Sequence, residues 1–204
     1  MKFVKWKPLI VTSIVCLLPI LLGLALWEIL PDTLAIHFNL YNEPDNFASK
    51  GFVVFFFPVM MMAMQIICCI INDINAYKYG RRTKFEYATK WILPVMSILL
   101  QIITFGYSLG FNIDIRRVVA VIVGVMFLVI GNYLPKFDYV KNYDVDTEKA
   151  RKINRFIGIS TVIMGVLMIF SILLPPIATV ICIFLLVPYS LIGIIYGIKE
   201  GRKK

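Results

Sequence analysis

Six apolar runs, each close to the length that crosses a bilayer, leave this chain few ways to fold. They extend from Pro8 to Leu30, Phe52 to Ile71, Trp91 to Phe111, Val118 to Leu134, Phe156 to Leu174 and Ile177 to Ile198. A spanning helix needs about 20 apolar residues. With 60% of its 204 residues hydrophobic, the chain also has too little polar surface for a soluble domain. The expected fold class is all-α: a polytopic membrane helix bundle of six transmembrane helices, forming a single membrane domain over residues 1–204. Residues 1–71 make an N-terminal helical pair holding an outer loop at 31–50, and residues 72–204 supply four further spans. The first run is too long for a signal-peptide core and no small-residue cleavage site follows it, so it is read as a retained helix. Val15 before Cys16 argues against a lipoprotein signal.

Orientation follows from the basic residues. With the N-terminus inside, the inner segments hold Lys2, Lys5 and Lys7; Lys78, Arg81, Arg82, Lys84 and Lys90; Lys136, Lys141, Lys149, Arg151, Lys152 and Arg155; and Lys199, Arg202, Lys203 and Lys204. Only Lys50, Arg116 and Arg117 of the 21 basic residues remain outside. Both termini are therefore expected in the cytoplasm. The net charge of +9 is assigned to loops facing anionic lipid, not to nucleic acid, because no soluble module presents a basic patch. Cys16, Cys68, Cys69 and Cys182 all fall inside apolar runs, where they read as small packing residues without disulfide or zinc spacing.

The one long polar segment on the outer side, the loop at 31–50 within the stretch from Leu30 to Phe57, interrupts this pattern. Leu34, Ile36, Phe38 and Leu40 alternate with Ala35, His37, Asn39 and Tyr41, as in an extended segment with one apolar face. Asn42-Glu43-Pro44-Asp45-Asn46 reads as a turn, with Pro44 fixing φ and the Asn and Asp side chains bonding local backbone. Glu28, at the end of the first run beside Trp27, reads either as an interfacial group reaching water or pairing with Lys50, or as a ligand contact at a cavity mouth. His37, the single histidine, reads either as a strand residue satisfied by water or headgroups, or as a recognition residue with Asn39 and Asp45.

The order Leu30-Pro31, Ile36-His37-Phe38-Asn39, Pro44-Asp45 and Ser49-Lys50, followed by an aromatic run with Pro58, resembles the N-terminal domain of the SdpI family of bacterial membrane proteins. A second stretch, Gly131-Asn132-Tyr133-Leu134-Pro135-Lys136, then a polar loop with Arg151-Lys152, Arg155 and Gly158, is similar to the C-terminal half of that family. The chain departs from it too: the family's Gly-Ile-Arg segment is absent, and its Trp, Thr and His correspond to Ala150, Ile153 and Asn154. The resemblance implies a multi-pass plasma-membrane immunity protein that shields a bacterial cell from a secreted toxic peptide or bacteriocin. It also leaves open a membrane signal transducer that holds a soluble transcriptional repressor on the inner face; a small-molecule transporter is the other alternative. The partner-binding candidates are His37, Phe38, Asn39, Pro44, Asp45 and Lys50. The inner-loop candidates are Gly131, Asn132, Pro135, Arg151 and Arg155.

No Asp, Glu, Lys, Arg or His lies near the middle of any run, which argues against a proton-coupled pump and an intramembrane protease. One histidine cannot make a helix-borne metalloprotease pair. The chain is expected to be no enzyme, to use no cofactor or metal, and to have membrane lipid as its constant partner. Gly106 to Gly110 and Gly193 to Gly197 read as small-residue spacings for helix packing. Asp146 to Lys152 reads as a short surface helix entering the fifth span, capped by Asp146 or Thr147. The run Met60, Met61, Met62 and Met64 covers every face of the second helix, so most of it should meet lipid or neighbouring helices.

The orientation is directly testable. On a background lacking the four native cysteines, a cysteine at Asn42 is expected to react with an impermeant thiol reagent from outside intact cells, and one at Lys84 is not. The reverse pattern overturns this orientation.

Overall fold

The computed structural model describes residues 3–78, 84–136, 147–186, 188–189 and 191–192. Lys2, Arg81, Arg82, Asp138, Lys141, Asp144, Asp146, Gly193, Gly197 and the tail from Lys199 lie outside the described residues, as do the side chains of Lys78, Lys84, Lys136 and Lys149. Among the described residues the fold is helical with one small two-stranded sheet. Five helices are long and apolar enough to cross a membrane: Trp6–Ala25, Phe52–Tyr77, Glu86–Ser108, Ile115–Tyr133 and Arg151–Leu173. The expected sixth run opens as a helix at Pro176–Phe184, and its far end lies outside the described residues. The chain divides into two compact units, Met1–Ile115 and Arg116–Lys204.

In the first unit, α1 (Trp6–Ala25), α2 (Phe57–Lys78) and α3 (Lys84–Ser108) pack pairwise. The buried positions of α1, namely Leu9, Thr12, Ser13, Cys16, Pro19 and Gly23, recur every three or four residues, the spacing of one helical face. Several are polar, and a polar group facing hydrocarbon costs several kcal/mol unless it is bonded within the protein, roughly the loss of a full hydrogen bond. Each facing helix supplies a partner. Gln65 Nε2 donates to Thr12 Oγ1 at 2.8 Å and to the Lys90 carbonyl at 2.7 Å, and Ser97 Oγ donates to the Cys16 carbonyl at 2.9 Å.

The stripe ends in charges. Lys90 Nζ lies 2.6 Å from Asp73 Oδ1, with the two side chains 2% and 1% exposed. Lys5 Nζ meets Glu86 Oε2 at 3.1 Å, and the Lys5 backbone N–H donates to Asp73 Oδ2 at 3.0 Å. This corrects the expected inner loop at 72–90: α2 runs on to Lys78 and α3 begins at Lys84, because the acids and bases pair across the helices and stay inside. Of the methionine patch, Met61 is buried while Met60 and Met64 are exposed, as the spread over all faces requires.

The opposite end of the unit carries a β-hairpin between α1 and α2. β1 (Thr33–Phe38) pairs antiparallel with β2 (Pro44–Ser49). The partners Ala35↔Phe47 and His37↔Asn46 skip Ile36, which makes a bulge. This corrects the expected alternation: Leu34 and Ala35 are both buried, while Ile36 and Leu40 are exposed. Leu34 enters a core with Leu30, Val53, Val54 and Phe105. A π-turn, Phe52–Phe56, joins the hairpin to α2.

Gly110 does not serve helix packing as its spacing suggested. With φ at +87°, it ends α3: the Phe111 N–H donates to the Gly106 carbonyl and the Gly110 N–H to the Tyr107 carbonyl, the paired closure that a left-handed residue after a helix allows.

In the second unit, α4 (Ile115–Tyr133) meets α5 (Thr147–Phe170) through glycines. A Cβ on Gly131 would stand 2.6 Å from the Gly158 carbonyl oxygen, and one on Gly158 would stand 2.8 Å from that of Gly131. Gly124 and Gly165 repeat the arrangement at 2.9 and 2.7 Å. The backbones are in contact, as small residues permit in membranes. α5 is one continuous helix from Thr147, so the short surface helix expected to enter the fifth span forms its first turns.

Two stability outcomes follow. Gly131→Ala and Gly165→Ala should each lower stability by roughly 1–3 kcal/mol through overpacking, read as a lower unfolding midpoint in detergent micelles. Asp73→Leu or Lys90→Met alone should cost about 3–5 kcal/mol by stranding the other charge, and the double variant should recover most of it; equal losses in single and double variants would contradict the pairing.

Candidate functional site

The hairpin presents most of the outer candidates and fixes each by a separate device. Asn39 builds the turn: its Oδ1 accepts from the N–H of Tyr41 at 2.9 Å and of Glu43 at 3.0 Å, and its Nδ2 donates to Glu43 Oε2 at 3.0 Å. Asn42 takes the left-handed backbone at φ 67°, which Asn tolerates better than most residues. Its side chain then reaches the segment before α4, accepting from the Ile115 N–H at 2.8 Å and donating to the Ile113 carbonyl at 3.1 Å. Tyr41, 79% exposed, is therefore a less disruptive place than Asn42 for a reporter cysteine.

His37 and Asp45 face each other across the strands, Nδ1 to Oδ1 at 2.5 Å, with side chains 66% and 43% exposed. The pair is an accessible polar feature of the hairpin, with Glu43, Asn46 and Ser49 exposed beside it. Phe38 turns inward and packs edge-on against Tyr107 of α3, ring centroids 4.6 Å apart. Pro44 opens β2 opposite Phe38, where a strand tolerates a residue without an N–H.

Lys50 has a different setting. Its Nζ donates to the carbonyls of Trp27 at 3.0 Å and Leu30 at 3.1 Å, lies 3.6 Å from Asp32, and sits 4.9 Å from the Trp27 ring. It therefore satisfies carbonyls in the turn that follows α1, where a cation is favourable, with its side chain 15% exposed. Glu28 is exposed, and the Lys50 ammonium is directed to Asp32 and the two carbonyls.

The inner-loop candidates separate by environment. Gly131 and Pro135 both lie against Gly158, whose added Cβ would meet the Pro135 ring at 2.7 Å. The Gly-Asn-Tyr-Leu-Pro motif thus makes one of the two close glycine contacts described between α4 and α5. Asn132, Arg151 and Arg155 are exposed. Among the described residues no group of three His, Cys, Asp or Glu side chains could hold a metal ion.

The Lys5, Asp73, Glu86 and Lys90 cluster is invisible to hydropathy. A signal was present: Gln65, Cys69 and Asp73 step by four, as do Glu86, Lys90 and Pro94, and all six are buried. Four-residue spacing of polar groups into an apolar run marks an inward face.

A model of a "Domain of unknown function (DUF1648)" matches residues 14–62, from within α1 through both strands into α2. Among curated proteins, the immunity protein SdpI of Bacillus subtilis (strain 168) is 24% identical over 126 residues. The match covers 62% of this chain and 59% of that protein. No solved structure matches the chain. The first match falls on the segment that carries the hairpin, and with five helices long and apolar enough to cross a membrane the chain is a multi-pass bacterial membrane protein similar to SdpI.

Proposed function

We propose that this chain is an integral membrane immunity protein that protects its cell from a secreted toxic peptide, with the hairpin as the surface the toxin meets. The observation that carries the reading is the likeness to an immunity protein, joined to a DUF1648 match that includes the whole hairpin. The hairpin also has the form of a recognition surface. Asn39, Asn42, Phe38 and Lys50 are occupied in holding it, which leaves the His37 and Asp45 pair, Tyr41 and Phe47 accessible. A surface fixed before binding loses little conformational freedom on association. The role is one of binding and exclusion, without a catalytic step.

The structure dictates which substitutions test this. Asn39→Ala would dismantle the turn and report on folding, whereas His37→Gln with Asp45→Asn alters the exposed pair and leaves the turn intact. If each polar contact to the toxin contributes on the order of 1–3 kcal/mol, the double variant should lose roughly tenfold or more in affinity. In sensitive bacteria challenged with secreted peptide toxins, protection should fall accordingly at an unchanged level of protein in the membrane. Arg151→Ala with Arg155→Ala should protect fully. The opposite result, full protection in the hairpin variant and loss in the arginine variant, would place the working surface inside and favour the signal-transducing alternative.

A further inference from the structure

Beneath the hairpin, the first unit holds a pocket of about 290 Å³ walled by Ile36 of β1, Phe52 and Val53 of the π-turn, Phe57 of α2, and Leu100, Gln101 and Thr104 of α3. Both backbone irregularities of this region form its sides. The bulge takes Ile36 out of strand register. The π-turn, with the Phe57 N–H reaching back to the Phe52 carbonyl, leaves the Val53 carbonyl to accept Gln101 Nε2 at 2.7 Å. Bulges and π-turns recur at functional sites because they re-aim side chains at a local cost. Here two of them hold open a space that regular strand and helix would close.

We propose that this pocket takes the acyl chain of a membrane lipid from the leaflet on the hairpin side. Five of its seven lining residues are apolar, and Gln101 is itself buried with its amide nitrogen on Val53. Water needs two to four polar partners to be held in such a space, and an apolar cavity of roughly 150 Å³ already accepts a hydrocarbon ring. The pocket is continuous with a surface that faces the bilayer. Ile36 and Phe52 on its rim are exposed, Phe56 stacks on Phe52 with centroids 4.7 Å apart, and Val59, Met60 and Ile102 carry the exposed apolar surface along α2 and α3. Thr104 lies four residues before the end of α3, about 6 Å along the helix at 1.5 Å per residue. That depth corresponds to the upper part of an acyl chain. The inference is independent of the immunity role.

The test uses the full chain in phospholipid vesicles that include a small fraction of lipid carrying a photoreactive diazirine high on one acyl chain. After irradiation, adducts on residues 52–57 and 100–104 should exceed by several-fold those around Leu21, which is exposed on α1 at a similar distance from its helix end. Thr104→Trp, which fills the pocket, should reduce them to the Leu21 level while leaving the α1 adducts unchanged. Should that variant fail to insert, Leu100→Phe fills the same space with a smaller change. Adducts no more frequent than at Leu21, or insensitive to both substitutions, would overturn the proposal. So would labelling at the Leu21 level together with loss of toxin protection in Thr104→Trp, which would assign the pocket to an apolar side chain of the peptide.

Discussion

The ion pair between Asp73 and Lys90 is the constraint on which the first unit depends. Both side chains are almost wholly buried, and an unpaired charge there would cost several kcal/mol. Each therefore requires the other in place, which fixes how α2 lies against α3. The Lys5 N–H on Asp73 and the Lys5 ammonium on Glu86 bring the start of α1 into the same arrangement. Once the three helices are registered at this end, Thr12, Gln65, Ser97 and Gln101 meet their partners along their length. Apolar packing alone would hold such helices weakly, because lipid tails solvate leucine as well as a neighbouring helix does.

At the other end the same economy of polar groups builds the hairpin. A two-stranded sheet is marginal by itself, so its order comes from attachments. Leu34 enters the core with Val54 and Phe105, Phe38 rests on Tyr107, Asn42 spans to Ile113 and Ile115, and Lys50 ties the return strand to the end of α1. All four act on one element and from different directions. The residues left accessible are those that no attachment uses.

Much of this was legible in the sequence, and the gaps have physical causes. The apolar runs gave the spans because bilayer thickness sets a length that chance rarely matches. Their ends were misplaced wherever charged residues continued the helix, since hydropathy counts Asp73, Glu86 and Lys90 as polar whether or not they pair. β1 announced itself by alternation, but its bulge at Ile36 reversed the faces beyond that point. β2 carries Pro, Asp, Asn and Ser, with Phe47 its one strand-favouring residue, so local preference alone was weak; pairing to β1 supplied the rest. The glycine reading looked for spacings of four, whereas the observed contacts join Gly124 and Gly131 to Gly165 and Gly158 at spacings of seven.

That last spacing gives the Gly-Asn-Tyr-Leu-Pro motif a packing role of its own. Gly131 and Pro135 answer to the backbone of Gly158, a requirement of packing that any two helices crossing this closely would share. By the same logic the hairpin is the more informative half of the resemblance: His37 and Asp45 are exposed, and the core beneath them does not require either residue.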